Sequence, residues 1–297
     1  MVRDKSPSSI ILDVIIHTSL IILLIVTILP ILHVAAISFS SSTAINRGLV
    51  TFYPKGFNLN AYIKVWEAGT VPNAFKNSVI YTVVGTAINM VLTITTAYPL
   101  SKKDLPFKKF YTTLIVITMF FGGGLIPRFL LVTKLGLYNT MWALILPGAI
   151  SSWNLIVMRT FFQSIPVEIE ESAYLDGAND MQILFRIVLP LSQASLATIG
   201  LFYAVGHWNS WFSALIYLKS NSKYPLQLVL REIVIQGQMA KELAEQGDTF
   251  LWQEMEMVSV ESLKYATLFI SIVPMLIVYP FIQKYFVKGV MIGSLKG

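Results

Sequence analysis

The sequence predicts an all-α integral membrane protein with six transmembrane helices. Hydrophobic residues occupy 55% of the 297 positions and charged residues only 13%, and the mean hydropathy is +0.66. Soluble domains carry charge at about a quarter of their positions, so this composition excludes an ordinary soluble globule. The apolar residues also occur in long runs of about 20, the length that a helix needs to cross a bilayer.

The six predicted spans follow one another along the chain. The first is too long for the apolar region of a cleavable signal peptide, so it is expected to be retained. The third contains the run 122–124 of glycines followed by Pro127, which predicts a helix break, because the Lys-Ser/Thr pair of a phosphate-binding loop is missing. The predicted spans are 10–39, 73–100, 110–132, 141–162, 191–218 and 264–286.

Lysines predict the orientation of the chain in the membrane. Four of them crowd the short loop after the second span, at Lys102, Lys103, Lys108 and Lys109. Short loops rich in lysine stay on the cytoplasmic side, so six spans put both termini there. The net charge of +6 does not predict nucleic-acid binding, since basic residues and aromatics are not interleaved. The absence of cysteine excludes disulfides and thiolate metal sites.

Two polar stretches between spans are expected to lie outside the membrane. In the first, which covers residues 40–71, the apolar side chains could form a short amphipathic helix, either on the membrane surface or against a partner. The second, residues 219–261, is acidic and predicted to be external, where it could contact a binding protein or simply cover the pore. The apolar side chains of the first stretch are Phe57, Leu59, Tyr62 and Trp66.

The polar segment 165–191, between the fourth and fifth spans, predicts two short helices. Pro166 suits a first helical position, and Gly177 suits a left-handed residue that ends a helix. Asn179 and Gln182 have the spacing of a capping box for the second helix. This helix is expected to end at a proline and to carry one apolar stripe; these residues are Pro190 and Met181, Leu184, Phe185 and Val188.

The segment has two interpretations from its local pattern. It could be a surface hairpin that only links two spans. It could also dock on another protein, because Ser172 and Ala173 are small enough for close approach and Glu171 could meet a basic group.

The spacing within the segment resembles the EAA loop of ABC importer permeases, EAA-x3-G-x9-I-x-LP. Glu171-Ser172-Ala173, Gly177, Ile187 and Leu189-Pro190 match this motif, with serine in place of its first alanine. Asp176 and other flanking residues resemble the carbohydrate-uptake, MalG-like branch of the family. Stretches 121–127, 142–148, 158–162 and 206–210 are similar to the LplC/YtcP group of complex-saccharide permeases.

This resemblance implies the transmembrane domain of a type I ABC importer, with a cytoplasmic two-helix coupling loop. The implied function is that of a permease subunit for oligosaccharides or polysaccharide fragments in the bacterial cytoplasmic (inner) membrane. The implied partners are a second homologous permease in a heterodimer, two ATP-binding subunits and an extracellular or periplasmic solute-binding protein. ATP and Mg²⁺ would be bound by the ATP-binding subunits, and this chain would bind no cofactor.

The resemblance also implies a division of the chain and a set of coupling residues. One permease domain would cover 1–297, with the first helix and external loop at 1–72, five core helices at 73–288 and a cytoplasmic tail at 289–297. By itself the tail predicts only a flexible end, but its similarity to the family implies contact with the ATPase through Gly293, Ser294 and Lys296. The implied coupling residues are Glu171, Ser172, Ala173, Asp176, Gly177, Met181, Leu184, Phe185, Val188 and Pro190.

A substrate path is predicted mainly on the fifth span. Tyr203, His207 and Trp211 follow one another at four-residue intervals on one helical face, and polar groups are costly there unless they face a cavity or a partner. Aromatic rings could contact the apolar faces of sugars, and an arginine could bind acidic, uronate-type saccharides. The alternative is interhelical packing or interfacial anchoring. The candidates are Arg128, Trp153, Asn154, Tyr203, His207, Asn209 and Trp211.

The sequence lacks the motifs of a catalytic or metal site. It contains no HExxH, GxSxG or GxxxxGK[ST] pattern, so the chain is not expected to be an enzyme or to hold a metal. An ion-coupled secondary transporter is an alternative, but the centres of the second to sixth spans contain almost no acidic residue. A membrane scaffold without a transport role is the third interpretation.

Overall fold

The computed structural model describes residues 6–245 and 260–294, and every regular element in them is helical. Short 3₁₀ turns occupy Leu146–Gly148 and Asn221–Lys223, and the π-helical stretch Leu184–Val188 joins the helices Asp180–Ile183 and Leu189–Leu191. The α-helices are α1 Pro7–Ser38, α2 Ser42–Asn46, α3 Asn60–Glu67, α4 Thr70–Ser101, α5 Lys108–Phe120, α6 Leu125–Lys134, α7 Trp142–Ile145, α8 Ser152–Gln163, α9 Val167–Leu175, α10 Asp180–Ile183, α11 Leu189–Leu191, α12 Gln193–Trp208, α13 Phe212–Tyr217, α14 Leu226–Glu245 and α15 Val260–Ser294.

The helices account for up to six membrane spans, as predicted. Three are long and apolar enough to cross a bilayer singly: α1, α4 and the part Glu261–Pro280 of α15. Three bent pairs pass the same criterion together. They are Lys108–Phe120 with Leu125–Lys134, bent by 114°, Trp142–Gly148 with Ser152–Gln163, bent by 52°, and Asp180–Leu191 with Gln193–Trp208, bent by 84°.

The predicted helix break in the third span is confirmed. α5 ends at Phe120 and α6 begins at Leu125, with the three glycines between them. Gly124 has a φ of +77°, a left-handed value that glycine adopts without the steric cost of a side chain.

Two predictions about the fifth span and its approach are wrong. The helix does not end at Pro190 but continues to Leu191 and turns at Ser192. Proline removes a backbone donor, and the π-helical stretch directly before Pro190 has already shifted the hydrogen-bond pattern there. The span is also not continuous to residue 218. Because α12 ends at Trp208, Trp211 lies beyond the helix and does not share its face with Tyr203.

The chain forms two compact units, of which the first comprises Met1–Val71 and Leu230–Val273. Its core lies where the last turn of α1 meets α2, and consists of Ala36, Ile37, Ala44, Ile45 and Val50 with Tyr265 packed against them. Most of α1 before that turn is exposed in this chain.

The second unit comprises Pro72–Val229 and Pro274–Gly297. Its main core joins α4, α8, α12 and the segment 165–191. The backbone N–H of Leu226, at the start of α14, donates to Ser78 Oγ of α4 at 2.8 Å. Near the end of the sequence, α15 continues as a helix to Ser294, so a flexible tail does not begin at residue 289. Lys296 lies outside the described residues, and the tail contact and the single-domain division stay predictions.

Candidate functional site

The segment 165–191 forms the two predicted helices with the predicted turn between them. α9 starts after Pro166, and Glu168 and Glu170 stand in its first turn, where the helix dipole favours negative charge. Gly177 has a φ of +83°. Its N–H donates to the carbonyl of Tyr174 at 3.0 Å, and the N–H of Ala178 donates to the carbonyl of Ala173 at 2.9 Å. This pair of bonds is a Schellman motif, which ends the helix at a glycine.

The predicted capping box fixes the start of the second helix. The N–H of Asn179 donates to Gln182 Oε1 at 3.0 Å, and the N–H of Gln182 donates to Asn179 Oδ1 at 2.9 Å. The hydroxyl of Tyr174 donates to the Asp180 carboxylate, so the two helices are also bonded to each other. This hydrogen bond, with burial as the second cause, raises the pKa of Tyr174 to about 12.

The inner face of the segment belongs to the core of its own chain. Ala173 and Ile183 are buried, and so are Leu184 and Val188, which are 2% and 0% exposed. Leu184 and Val188 were predicted to contact a partner, and this prediction is wrong, because both side chains pack in the core of this chain. The four-residue spacing puts Leu184 and Val188 on one side of the helix, and Met181 and Phe185 on an adjacent side.

The outer face of the segment presents large apolar side chains. Leu175 is 89% exposed, Met181 58% and Phe185 59%. Glu171 and Asp176 are exposed as well. Exposed apolar groups of this size beside charges are typical of a surface that binds another protein. Leu175 was not among the predicted residues, although its position directly before the Asp176-Gly177 turn favours exposure.

An ion pair that was not predicted from the sequence holds the segment to the lysine-rich loop. Lys102, just beyond α4, pairs with Glu170 of α9, and its Nζ lies 4.2 Å from the centre of the Tyr98 ring. Arg159 Nε donates to the carbonyl of Leu100 at 3.1 Å. The two loops that were both predicted to be cytoplasmic therefore meet, and they lie on the same side of the membrane. The signal in the sequence was their opposite charge.

Two candidates for the substrate path, Arg128 and Tyr203, instead bond to the backbone at the break in the fourth span, together with Asn89 of α4. Asn89 Nδ2 donates to the carbonyls of Gly148 and Ala149, at 3.0 and 2.6 Å. The N–H of Ser151 donates to the hydroxyl of Tyr203 at 3.0 Å. Arg128 Nη2 donates to the carbonyl of Pro147 at 2.6 Å. Backbone groups freed at a break inside the membrane need partners from protein, and these three side chains supply them.

Four side chains form a polar ladder between α4 and α12. We define this ladder as Asn89, Thr93, Tyr203 and His207, of which Asn89 and Tyr203 also bond to the break. His207 Nε2 donates to Asn89 Oδ1 at 2.6 Å, and Thr93 Oγ1 lies 2.8 Å from the Tyr203 hydroxyl. Each helix contributes two residues that are four apart, which gives two parallel rungs. For Tyr203 and His207, interhelical packing is therefore the arrangement in this structure.

The remaining candidates do not converge on one place. Asn154 is buried, whereas Trp153 and Asn209 are exposed, and the Trp211 ring contacts Phe212 edge to face with 5.5 Å between centres. Of the seven candidates, Arg128 alone lines the cavity of about 640 Å³ between the third span and α13. Other residues that line this cavity are Thr118, Gly122, Gly123, Phe212, Ser213 and Tyr217.

A helical bundle with up to six apolar spans, and with a two-helix segment packed on its core, defines a polytopic membrane protein. Residues 74–292 match the family described as binding-protein-dependent transport system inner membrane component. The chain belongs to this family, and it is a membrane-embedded permease component. The resemblance to ABC importer permeases that was based on the EAA-like spacing is thereby confirmed.

Individual relatives match over nearly the whole chain. The chain is 42% identical over 286 residues to the polygalacturonan/rhamnogalacturonan transport system permease protein YtcP of Bacillus subtilis (strain 168), covering 96% of this chain and 98% of that protein. It is 43% identical over 272 residues to protein LplC of the same organism, covering 92% and 90%. A chain in the crystal structure of a bacterial ABC transporter involved in the import of the acidic polysaccharide alginate superposes with a TM-score of 0.85. That match is 32% identical and covers 95% of this chain and 99% of the other.

Gly85 of α4 faces His207 of the polar ladder, so replacing this glycine should lower the stability of the chain. A Cβ built on Gly85 would lie 2.5 Å from His207 Nε2, so Gly85→Ala should displace His207 and loosen its bond to Asn89. Overpacking of this kind costs about 1–3 kcal/mol. We expect a lower melting temperature for the detergent-solubilised chain, measured by loss of monodisperse protein after heating.

Gly206→Ala is the matched control, because Gly206 directly precedes His207 on α12 and its Cβ would meet nothing within 4 Å. It should leave the melting temperature unchanged or raise it slightly, since alanine stabilises a helix interior relative to glycine. An equal loss in both variants would contradict the role of the ladder.

Proposed function

We propose that this chain forms half of the translocation pathway of a binding-protein-dependent ABC importer for acidic oligosaccharides or polysaccharide fragments. A second, homologous permease completes the pathway, two ATP-binding subunits bind on the cytoplasmic side, and a solute-binding protein delivers the saccharide from outside. The observation that carries the proposal is the segment 165–191, which is fixed to its own core by one face and presents Leu175, Met181 and Phe185 on the other.

The segment is proposed to couple nucleotide state to the spans. Its outer face would dock in a cleft of an ATP-binding subunit, with Glu171 as a charged anchor and Gly177 fixing the angle between the two helices. Because the inner face packs into the core with α4, α8 and α12, a displacement of the segment would move these helices with it. ATP binding would then favour the outward-open state only through a difference in affinity between the two states.

The chemistry of ATP hydrolysis is assigned to the partner subunits. This chain is proposed not to be an enzyme and to bind no cofactor, while ATP and Mg²⁺ bind to the partners. Both termini and the segment 165–191 are proposed to lie on the cytoplasmic side of the bacterial inner membrane. The lysine-rich loop beside the segment supports this orientation, because short loops with several lysines stay in the cytoplasm.

An acidic substrate is proposed from Arg128 and from the names of two relatives, one a polygalacturonan/rhamnogalacturonan permease and one an alginate importer. Arg128 lines the cavity described above, and only one of its five N–H donors is used within the described residues, on the Pro147 carbonyl. Guanidinium binds carboxylate through two parallel hydrogen bonds, which suits a uronate.

Co-purification tests the assembly. The tagged chain should bring an ATP-binding subunit, a second permease and a solute-binding protein out of its native membrane. Replacement of Glu171 together with Gly177 should remove the ATP-binding subunit and leave the permease pair intact. If the unmodified chain is recovered without an ATP-binding subunit, the proposal fails.

Gly177→Val tests the coupling step. The left-handed backbone at Gly177 costs a side chain about 1–2 kcal/mol, so the turn should open and tilt α10 against α9. We expect the complex to remain in the membrane and to hydrolyse ATP, but to lose most saccharide uptake, as measured with labelled oligosaccharide in proteoliposomes.

Gly136→Val is the control for backbone strain. Gly136 also has a positive φ, +72°, and a Cβ added there would meet nothing within 4 Å, but Gly136 lies outside the segment. Its stability loss should match that of Gly177→Val while uptake persists. Normal uptake by Gly177→Val, or equal loss in both variants, would contradict the coupling role.

Arg128→Gln tests the acidic substrate. Loss of a hydrogen bond to a charged group costs about 1.5–3 kcal/mol, or roughly tenfold to a hundredfold. We expect the uptake of galacturonate oligomers to fall by this factor. The uptake of the same oligomers made neutral by methyl esterification should not change. Glutamine keeps an amide N–H donor for the Pro147 carbonyl, so the break in the fourth span should stay bonded. An equal loss of uptake for the charged and the esterified oligomers would contradict recognition of the carboxylate.

A further inference from the structure

The segment 49–67, which includes α3, is attached to the final turns of α1. The hydroxyl of Tyr62 donates to Ser38 Oγ at 2.8 Å, and the Tyr62 ring stacks on Phe39 with 5.0 Å between centres. Closer to the middle of α1, His33 Nδ1 donates to the carbonyl of Thr51 at 2.6 Å. These contacts fix how deep the segment lies along α1.

The position of the segment along α1 determines its depth in the membrane. Asp13 is the last charged residue before a run that contains no Asp, Glu, Lys or Arg until Arg47, and the 20 helical residues from Asp13 to Leu32 extend for about 30 Å at a rise of about 1.5 Å per residue. The hydrocarbon core of a bilayer is about 30 Å thick, and the headgroup layers bring the total to about 40–45 Å. Hydrocarbon therefore ends near His33, and Ser38, about 7 Å further along the helix, lies in a headgroup layer.

α3 has three faces of different chemistry. Successive residues of a helix are about 100° apart, so its side chains can be sorted around the axis. Ala61 and Val65 face inward and are buried. The apolar face is exposed, with Ile63 at 51% and Trp66 at 73%, and Leu59 extends it. The third face is polar and consists of Asn60, Lys64 and Glu67.

The loop before α3 adds more exposed aromatic side chains. Phe52, Tyr53 and Phe57 are all more than half exposed, and Phe52 and Tyr53 directly follow Thr51, which is bonded at the level of His33. Lys55 Nζ lies 5.7 Å from the centre of the Tyr53 ring. Tryptophan, tyrosine and lysine together are typical of the boundary between hydrocarbon and water, where lysine can keep its charge in the headgroups.

We propose that the segment 49–67 lies in the membrane interface as an anchor, with Phe52, Tyr53, Phe57, Ile63 and Trp66 in contact with the acyl boundary of the lipid. The occupant of this face is lipid because the contacts with α1 hold it at the level where hydrocarbon ends. Amphipathic helices of this kind immerse their apolar face by about 5–10 Å. This anchor would hold the end of α1 at a fixed depth while other helices move.

The absence of cysteine from the chain permits a direct test. Single cysteines at Ile63 and Trp66 are labelled with a nitroxide in the full-length chain, assembled with its co-purified subunits in lipid bilayers. Asn60→Cys and Lys64→Cys, on the polar face of the same helix, are the matched controls. Collision with oxygen, which concentrates in lipid, is compared with collision with a water-soluble nickel chelate.

The ratio of oxygen to nickel accessibility should be several-fold higher at positions 63 and 66 than at positions 60 and 64. High nickel accessibility at all four positions would mean that the face lies in water, and it would overturn the proposal. Protection of positions 63 and 66 from both reagents would mean that protein covers the face, which would also overturn it. Ile63→Cys keeps Trp66 in place, so the measurement survives if Trp66→Cys fails to assemble.

Discussion

The break in the fourth span is the constraint on which the rest of this protein depends. A chain that bends inside hydrocarbon frees backbone groups that water cannot reach, and each must find a partner in the protein. Asn89, Arg128 and Tyr203 supply these partners from three other parts of the bundle. Their geometry therefore determines which helices must stay together, and α4, α8 and α12 pack as one body.

The segment 165–191 is attached to this same body. Ala173, Ile183, Leu184 and Val188 share one core with Tyr203 of the polar ladder, so the segment and the break rest on the same packed side chains. Close-packed interiors transmit small displacements because they have little room to absorb them. A displacement of the segment would therefore be passed directly to α4, α8 and α12, which share its core.

The backbone uses polar groups that the sequence predicted as sugar ligands. Side chains that were attractive as sugar ligands in the sequence, above all Tyr203 and His207, are bonded within the bundle. Arg128 differs, because it satisfies the Pro147 carbonyl with one donor and still lines a cavity. An arginine has enough donors to serve a broken helix and an anionic ligand at once.

The sequence by itself determined the class of fold, the number of spans, the glycine break and the two-helix segment with its left-handed glycine and capping box. Hydrophobic runs and cap residues act locally, so their pattern is visible in the order of residues. Only the tertiary structure decided which side chains meet. It placed Leu184 and Val188 inside, continued the helix past Pro190, moved Trp211 off α12 and paired Lys102 with Glu170. Packing between helices far apart in sequence makes those choices, and no local pattern records them.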